Sequence, residues 1–348
     1  MTALDVPLSV LDLAAVGAGS TAAQALRASL DLVQEAERLG YHRYWVAEHH
    51  NMPGIASSAP AVLLAHLASV SDRIRLGSGG VMLPNHAPLV VAEQFGMLEA
   101  LHPGRIDLGI GRAPGTDPRT AAALRRSLGG LQEPDLPALL GELYGFFNGS
   151  FPDDHPYRQI TAVPAQGYQP AIWLLGSSDY SARLAGRLGL PFSFAHHFSA
   201  ANTLPALGVY RESFRPSEEL AAPYVMLGVA ALAADTHEQA AYLSKSGDLA
   251  FLRLRSGRPG PFPTPEEAAA FHPTPHEKEL IRSWSSSRIV GDPAEVLAAL
   301  AALLARTGAD ELMVTTMVHG HDDRVRSYRL LAEIARLEPS VAEVAPAH

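Results

Sequence analysis

The chain has 348 residues, 47% of them hydrophobic, and 27 Lys+Arg against 36 Asp+Glu give a net charge of −9. A chain this long buries roughly three quarters of the surface it would expose unfolded, so it sustains its own core. The acidic balance excludes the basic face of a nucleic-acid partner, and zero cysteines exclude disulfides, thiol nucleophiles and thiolate metal or iron–sulfur sites. The longest apolar runs, 225–234 and 296–305, are about ten residues, whereas a membrane-spanning helix needs roughly twenty. No basic residue precedes Arg27, and Asp5 and Asp12 lie before it, unlike a secretory signal. A soluble, cytoplasmic protein of enzyme size is expected.

The first strand reads over 7–13 and leads into Val16-Gly17-Ala18-Gly19-Ser20. This G-x-G lacks the third glycine of a dinucleotide fingerprint, and no ribose-binding acid is evident beyond Glu48. Ala22–Leu39 has the helical period, with Leu26, Leu30, Val33 and Leu39 near one stripe and Gly40 as its stop. Further strands read over 44–48, 74–83, 105–110, 171–176, 192–196, 224–231 and 311–317. Helical patterns separate them at 59–70, 89–101, 136–147, 181–188 and 295–304, the last with Asp292 as N-cap and Gly308 at its end.

Eight apolar strands alternating with helices predict an α/β fold, a (β/α)8 TIM barrel, in one domain over 1–348; an open doubly wound sheet is the competing architecture. Two gaps, 113–170 and 234–289, read as insertions after strands four and seven. Such insertions fall on the C-terminal face, where barrel active sites form. The second contains six prolines between Ser256 and His276, and its 256–265 tract is expected to be a mobile cover over the mouth.

Five segments could carry chemistry. Glu48-His49-His50-Asn51 ends the second strand, and histidine suits proton transfer near neutral pH, although such rings also cap strand ends. Gly77-Ser78-Gly79-Gly80 lies inside the third strand, where glycines mark a bulge or a close approach, to a flat ring or to a neighbouring element. Arg112 follows Gly109-Ile110-Gly111 at the fourth strand's end, suited to a phosphate, a carboxylate or a surface ion pair. Gly176-Ser177-Ser178-Asp179-Tyr180-Ser181 turns the fifth strand into a helix; its donors could hold an anion or simply cap that helix. His196 and His197 end the sixth strand and would line a pocket, face solvent or, with other strand-end groups, hold a hydrolytic metal; the first strand offers no H-x-H for that, and no metal ligand is assigned.

Together, Tyr44 to Asn51, Ile74 to Pro84, Ala92 to Phe95 and Leu101 to Arg112 resemble the bacterial luciferase-like flavin-dependent monooxygenases, a TIM-barrel family, over 7 to about 334. The resemblance implies a cis non-proline peptide at Gly79-Gly80 against the flavin ring. It implies FMN phosphate contacts from Arg112, Ser178 and Ser181, neighbouring cofactor contacts from Gly176 and Ser177, and proton management by His49. It implies reduced FMN from a separate flavin reductase, reaction with O2 through a C4a-peroxyflavin, oxygenation of a small organic substrate, and a homodimer through the 59–70 and 89–101 helices. Gly111 stands where luciferases carry a reactive but non-essential cysteine, so the resemblance implies flavin binding and leaves light emission open. The same barrel also serves F420-dependent hydride transfer and non-catalytic flavin binding, which stay open as alternatives.

Overall fold

The computed structural model describes residues 4–125 and 135–339. Its strands are β1 (Leu8–Asp12), β2 (Arg43–Val46), β3 (Arg75–Met82), β4 (Ile106–Gly111), β5 (Ala171–Gly176), β6 (Phe192–Phe194), β7 (Val225–Ala233), β8 (Ile289–Gly291) and β9 (Glu311–Thr315). Their order is β6-β5-β4-β3-β2-β1-β9-β7-β8, and a β6–β7 pairing closes eight of them into a parallel barrel. Helices cover it outside, as in a (β/α)8 TIM barrel. The near-continuous apolar strands follow from this, because each strand is covered on both faces. No helix among the described residues is long and apolar enough to cross a membrane.

Alternation along the strands sorts the interior into layers. At the N-terminal floor Arg43, Arg75, Asp107 and Glu311 interlock. The Arg43 guanidinium lies 2.8 Å from Asp107 and 3.1 Å from Glu311, and Arg75 lies 2.6 Å from Asp107. Trp45 Nε1 donates to Asp107 at 3.0 Å and the Tyr224 hydroxyl to Glu311 at 2.9 Å. Above the floor Trp45, Trp173, Met226 and Met313 fill the middle, the two indoles meeting edge to face at 5.3 Å. The third layer opens into the mouth. Facing outward, Tyr44, Val46, Leu76, Leu108 and Val229 pack beneath the helices in the main core.

Three sequence expectations change. The strand expected as the eighth is the ninth in the chain. The three-residue β8 precedes it and pairs with β7 outside the barrel; so short a strand has no run by which to be read. The sixth strand ends at Phe194, and His196 and His197 belong to a short helix, His196–Ser199. The 234–289 insertion is mostly helical, with helices His237–Arg255, Pro265–Ala270 and Pro275–Ser285. Thr236, Thr264 and Thr274 each accept an N-capping bond there. Pro265 and Pro275 sit in first turns, so these prolines start helices rather than break them.

The 256–265 tract does lie across the mouth, tied down by main chain. Phe262 N–H donates to the Val16 carbonyl and Ala18 N–H to the Phe262 carbonyl, each at 2.8 Å.

Candidate active site

A cavity of about 580 Å³ opens at the C-terminal mouth, and most of its lining is apolar. Of the residues singled out from sequence, His49, Gly79, Arg112, Gly176, Ser177, Ser178 and Ser181 line it. Gly80 does not reach the wall. A Cβ there would stand 2.7 Å from the Gly109 carbonyl, so this glycine lets β3 and β4 lie together. The Gly79–Gly80 peptide is cis, and the β3–β4 register shifts between Gly79 and Val81. A Cβ on Gly79 would meet Leu11 at 2.7 Å. Both readings of this glycine run, bulge and close approach, are therefore present.

Beyond β5 the chain turns into helix Asp179–Leu188, whose N-cap Ser178 makes no side-chain capping bond. The simple capping role weighed from sequence is thus not the one observed. First-turn N–H groups and serine hydroxyls remain available, and the helix dipole favours an anion there. Gly176 matters sterically, since a Cβ would stand 2.7 Å from Ser181 Cβ. The Arg112 guanidinium stacks 4.4 Å above the Tyr180 ring, which draws the end of β4 to the start of this helix. Three serines and one arginine without a carboxylate partner among the described residues so share one corner of the mouth.

Opposite them β2 ends at Val46, and the Glu48-His49-His50 segment leaves the strand geometry that alternation had assumed. Glu48 is fully buried. His50 Nε2 and His86 Nε2 both lie 2.9 Å from Glu48 Oε1, and Met82 N–H donates to Oε2 at 3.0 Å. Burial would raise this carboxyl, but His86, His50 and the Met82 amide together hold it below its ordinary value. His50 is therefore occupied with Glu48 and does not line the cavity. Among the described residues no three His, Asp or Glu side chains are grouped to hold a metal.

His49 turns to the cavity, with Nδ1 3.2 Å from the Gly115 carbonyl. Only a protonated Nδ1 makes that bond, which leaves Nε2 as an acceptor. Burial lowers the His49 pKa, with the Gly115 carbonyl and Glu48 opposing, so the ring is neutral at pH 7. His197 also lines the cavity; burial pushes it down to about 4 while its Nδ1 bonds the Gly228 carbonyl at 2.8 Å. His196 turns away to Thr203, at 2.8 Å.

Sequence reasoning missed His86, which the turn Leu83–Asn85 delivers to Glu48. It also missed Phe251, Arg253, Trp284 and Arg288 of the second insertion, all on the cavity wall. For Phe251 and Arg253 the signal was the three-residue spacing of Leu249 and Leu252, which belongs to a long helix over the mouth; Trp284 and Arg288 had none.

Residues 6–311 match the luciferase-like monooxygenase family, and the chain belongs to that family of flavin-dependent enzymes. A luciferase-like monooxygenase of Escherichia coli is 46% identical over 334 residues, covering 96% of this chain and 98% of its own length. An N-acetyl-S-alkylcysteine monooxygenase of Bacillus subtilis is 36% identical over 330 residues, covering 94% and 97%. Among solved structures, apo-MsnO8 superposes with a TM-score of 0.88 at 39% identity, covering 96% of this chain and all of that one.

Proposed function

We propose that the chain is the oxygenase of a two-component system that receives reduced FMN from a separate flavin reductase and uses O2 to oxygenate a small organic substrate. The observation that carries this reading is the corner where Arg112, with no carboxylate partner among the described residues, meets the uncapped helix at Ser177, Ser178 and Ser181. A cation, hydroxyl donors and a positive helix end are the donor set a phosphate requires. FMN would be held there, with the glycine-only surface at Gly79 admitting a flat ring. Bound reduced FMN would supply the electrons that split O2, one atom going to substrate and one to water.

The protein's own part is positioning, exclusion of water and proton handling. Neutral His49, fixed through Nδ1, accepts and returns a proton at Nε2. The strap through Phe262 and the apolar walls keep water from the mouth. The Gly17-Ala18-Gly19 turn is engaged by Phe262, which leaves no nucleotide loop there and supports an external reductase. Val62, Met97 and Leu101, on helices Pro60–Ala68 and Pro88–Leu101, are 69%, 52% and 66% exposed. That apolar surface supports a homodimer, and a strictly monomeric mass by light scattering would remove it. A cytoplasmic setting, where reduced flavin is supplied, belongs to the same reading.

The test is a titration of FMN, riboflavin and F420, followed by mixing the reduced complex with O2 and candidate substrates, sulfides among them. FMN binding with coupled product formation is expected. Preference for F420 with no O2 consumption would reassign the chain to hydride transfer on the same barrel. FMN binding without turnover would leave a flavin-binding protein.

A further inference from the structure

We infer that the cavity wall built by the second insertion is a carboxylate-recognition subsite for the molecule to be oxygenated, with Arg288 as the residue that reads the charge. The inference rests on the proposed function for what the bound molecule undergoes, but not for its binding.

Helix His237–Arg255 turns Ser244, Gly247, Phe251 and Leu254 toward the cavity, a spacing of three and four residues that shares one face. Phe251 stacks flat on Trp284, with centroids 4.5 Å apart and planes 5° from parallel. The Arg288 guanidinium lies over that same Trp284 ring, 4.5 Å from its centroid. Gly247 makes room for it, because a Cβ there would stand 2.9 Å from Arg288 Nη1. The guanidinium is thus packed on the Trp284 ring, with Gly247 leaving room at Nη1, rather than left to wander on the surface.

Its charge is only partly answered. Asp248 lies 3.1 Å from Nη2, while the Nε–H is buried without a partner. Burial lowers the Arg288 pKa and raises that of Asp248, each against the attraction of the other, so one ion pair leaves this group underserved. Neither Asp248 nor Glu267, the carboxylate paired with Arg253, is on the cavity wall, whereas both arginines are. Glu48, the one carboxylate on that wall among the described residues, is engaged by His50, His86 and the Met82 amide. The cavity therefore presents more positive than negative charge. Arg112, beyond β4, belongs to the phosphate corner; on the β7–β8 side Arg253 is taken by Glu267, and Arg288, with its unpaired Nε–H, is left for a second anion. Phe198, Phe251, Leu254 and Phe262 offer apolar surface in the same cavity. The ligand that satisfies both features is an organic carboxylate with an apolar chain.

Octanoate and its uncharged isostere octanamide, titrated calorimetrically into the full-length chain with and without FMN, test this. Octanoate should bind at least ten-fold more tightly than octanamide. Arg288→Gln should erase the gap and leave octanamide within about two-fold, while Arg112→Ala should preserve it. Asp248→Asn, which frees the guanidinium, should widen the gap and also covers the case in which Arg288→Gln does not fold. No octanoate binding, equal affinities, or a gap that survives Arg288→Gln or is unmoved by Asp248→Asn would overturn the inference. So would a gap lost with Arg112→Ala or closed by added inorganic phosphate, since octanoate would then sit in the phosphate corner. Neither flavin reduction nor O2 enters this measurement. A chain that keeps the gap but never oxygenates refutes the function and leaves the subsite standing.

Discussion

Both ends of the barrel interior carry arginines, and the two ends treat them in opposite ways. At the floor, Arg43 and Arg75 face Asp107 and Glu311, and every carboxylate oxygen there has a donor. Even Ser9 donates to Glu311. At the mouth, among the described residues, Arg112 stacks on Tyr180 without a carboxylate, the 177, 178 and 181 hydroxyls have no partner, and Arg288 Nε and Thr315 Oγ1 are buried unpaired. The two ends differ in burial, with Asp107 and Glu311 fully buried and Arg112 and Ser177 exposed, and they differ in satisfaction. Buried polar groups that answer one another hold a fold together, and groups left unanswered along a cavity wait for a ligand. Substitutions at the two ends should accordingly separate stability from chemistry.

The largest separation is expected at His49. His49→Ala should cut oxygenation by roughly 10²–10⁴, the range for a positioned acid–base group, while FMN affinity stays within a few-fold. His49→Asn should be impaired as well, since an amide hydrogen-bonds but does not exchange protons near pH 7. Because burial lowers the His49 pKa, its neutral form persists below pH 6.5. The pH profile should therefore be flat through neutrality and fall only on the acid side of the ordinary histidine range. Near-normal product yield from His49→Ala in single-turnover mixing would make this ring structural.

Asp107→Asn is the mirror experiment at the floor. It leaves Arg43 and Arg75 with one buried carboxylate between them, and breaking a buried pair costs about 3–5 kcal/mol. The melting temperature should fall by roughly four to seven degrees for a chain of this size. Flavin affinity and turnover of the folded fraction should hold, as measured by thermal melts beside FMN titration. A selective loss of turnover without loss of stability would break the contrast between the two ends.

Arg112→Ala should have a smaller and more specific effect. Wild type should favour FMN over riboflavin, which lacks the phosphate, and the variant should lose most of that preference, about 1.5–3 kcal/mol. Riboflavin affinity should barely move. Equal affinities for the two flavins in wild type would remove the phosphate from this corner.

How much of this was legible follows from where each group sits. The barrel could be read because parallel strands covered on both faces are apolar throughout, and the Gly176 to Ser181 turn because glycine beside serines at a strand-to-helix junction is informative locally. The floor could not. Arg43, Arg75 and Glu311 stand at strand starts, where charged residues usually meet solvent, and only barrel closure brings them together from β2, β3 and β9. Glu48 was ambiguous for the same reason: beside His50 its second imidazole partner, His86, arrives from another loop. Arg288 was invisible because the prolines around 256–276 suggested a loop, and the capping threonines that turn those prolines into helix starts were not weighed.

The strap over the mouth offers the finest test. Phe262 is 6% exposed and its main chain bridges Val16 and Ala18, so the expected cover is anchored at one residue within a glycine- and proline-rich tract. Phe262→Leu keeps the backbone bonds and most of the apolar contact, at a loss of ~1 kcal/mol. If the strap opens as a local unit, that loss should speed hydrogen exchange about five- to ten-fold at the Ala18 and Phe262 amides and leave barrel strands unchanged. Bound FMN and substrate should slow both amides again in wild type. Exchange that rises equally in β1 and β9 would show that the strap opens only with the whole barrel. Exchange indifferent to ligand would mean that it is a fixed rim, and shielding of the site would then fall to the apolar walls alone.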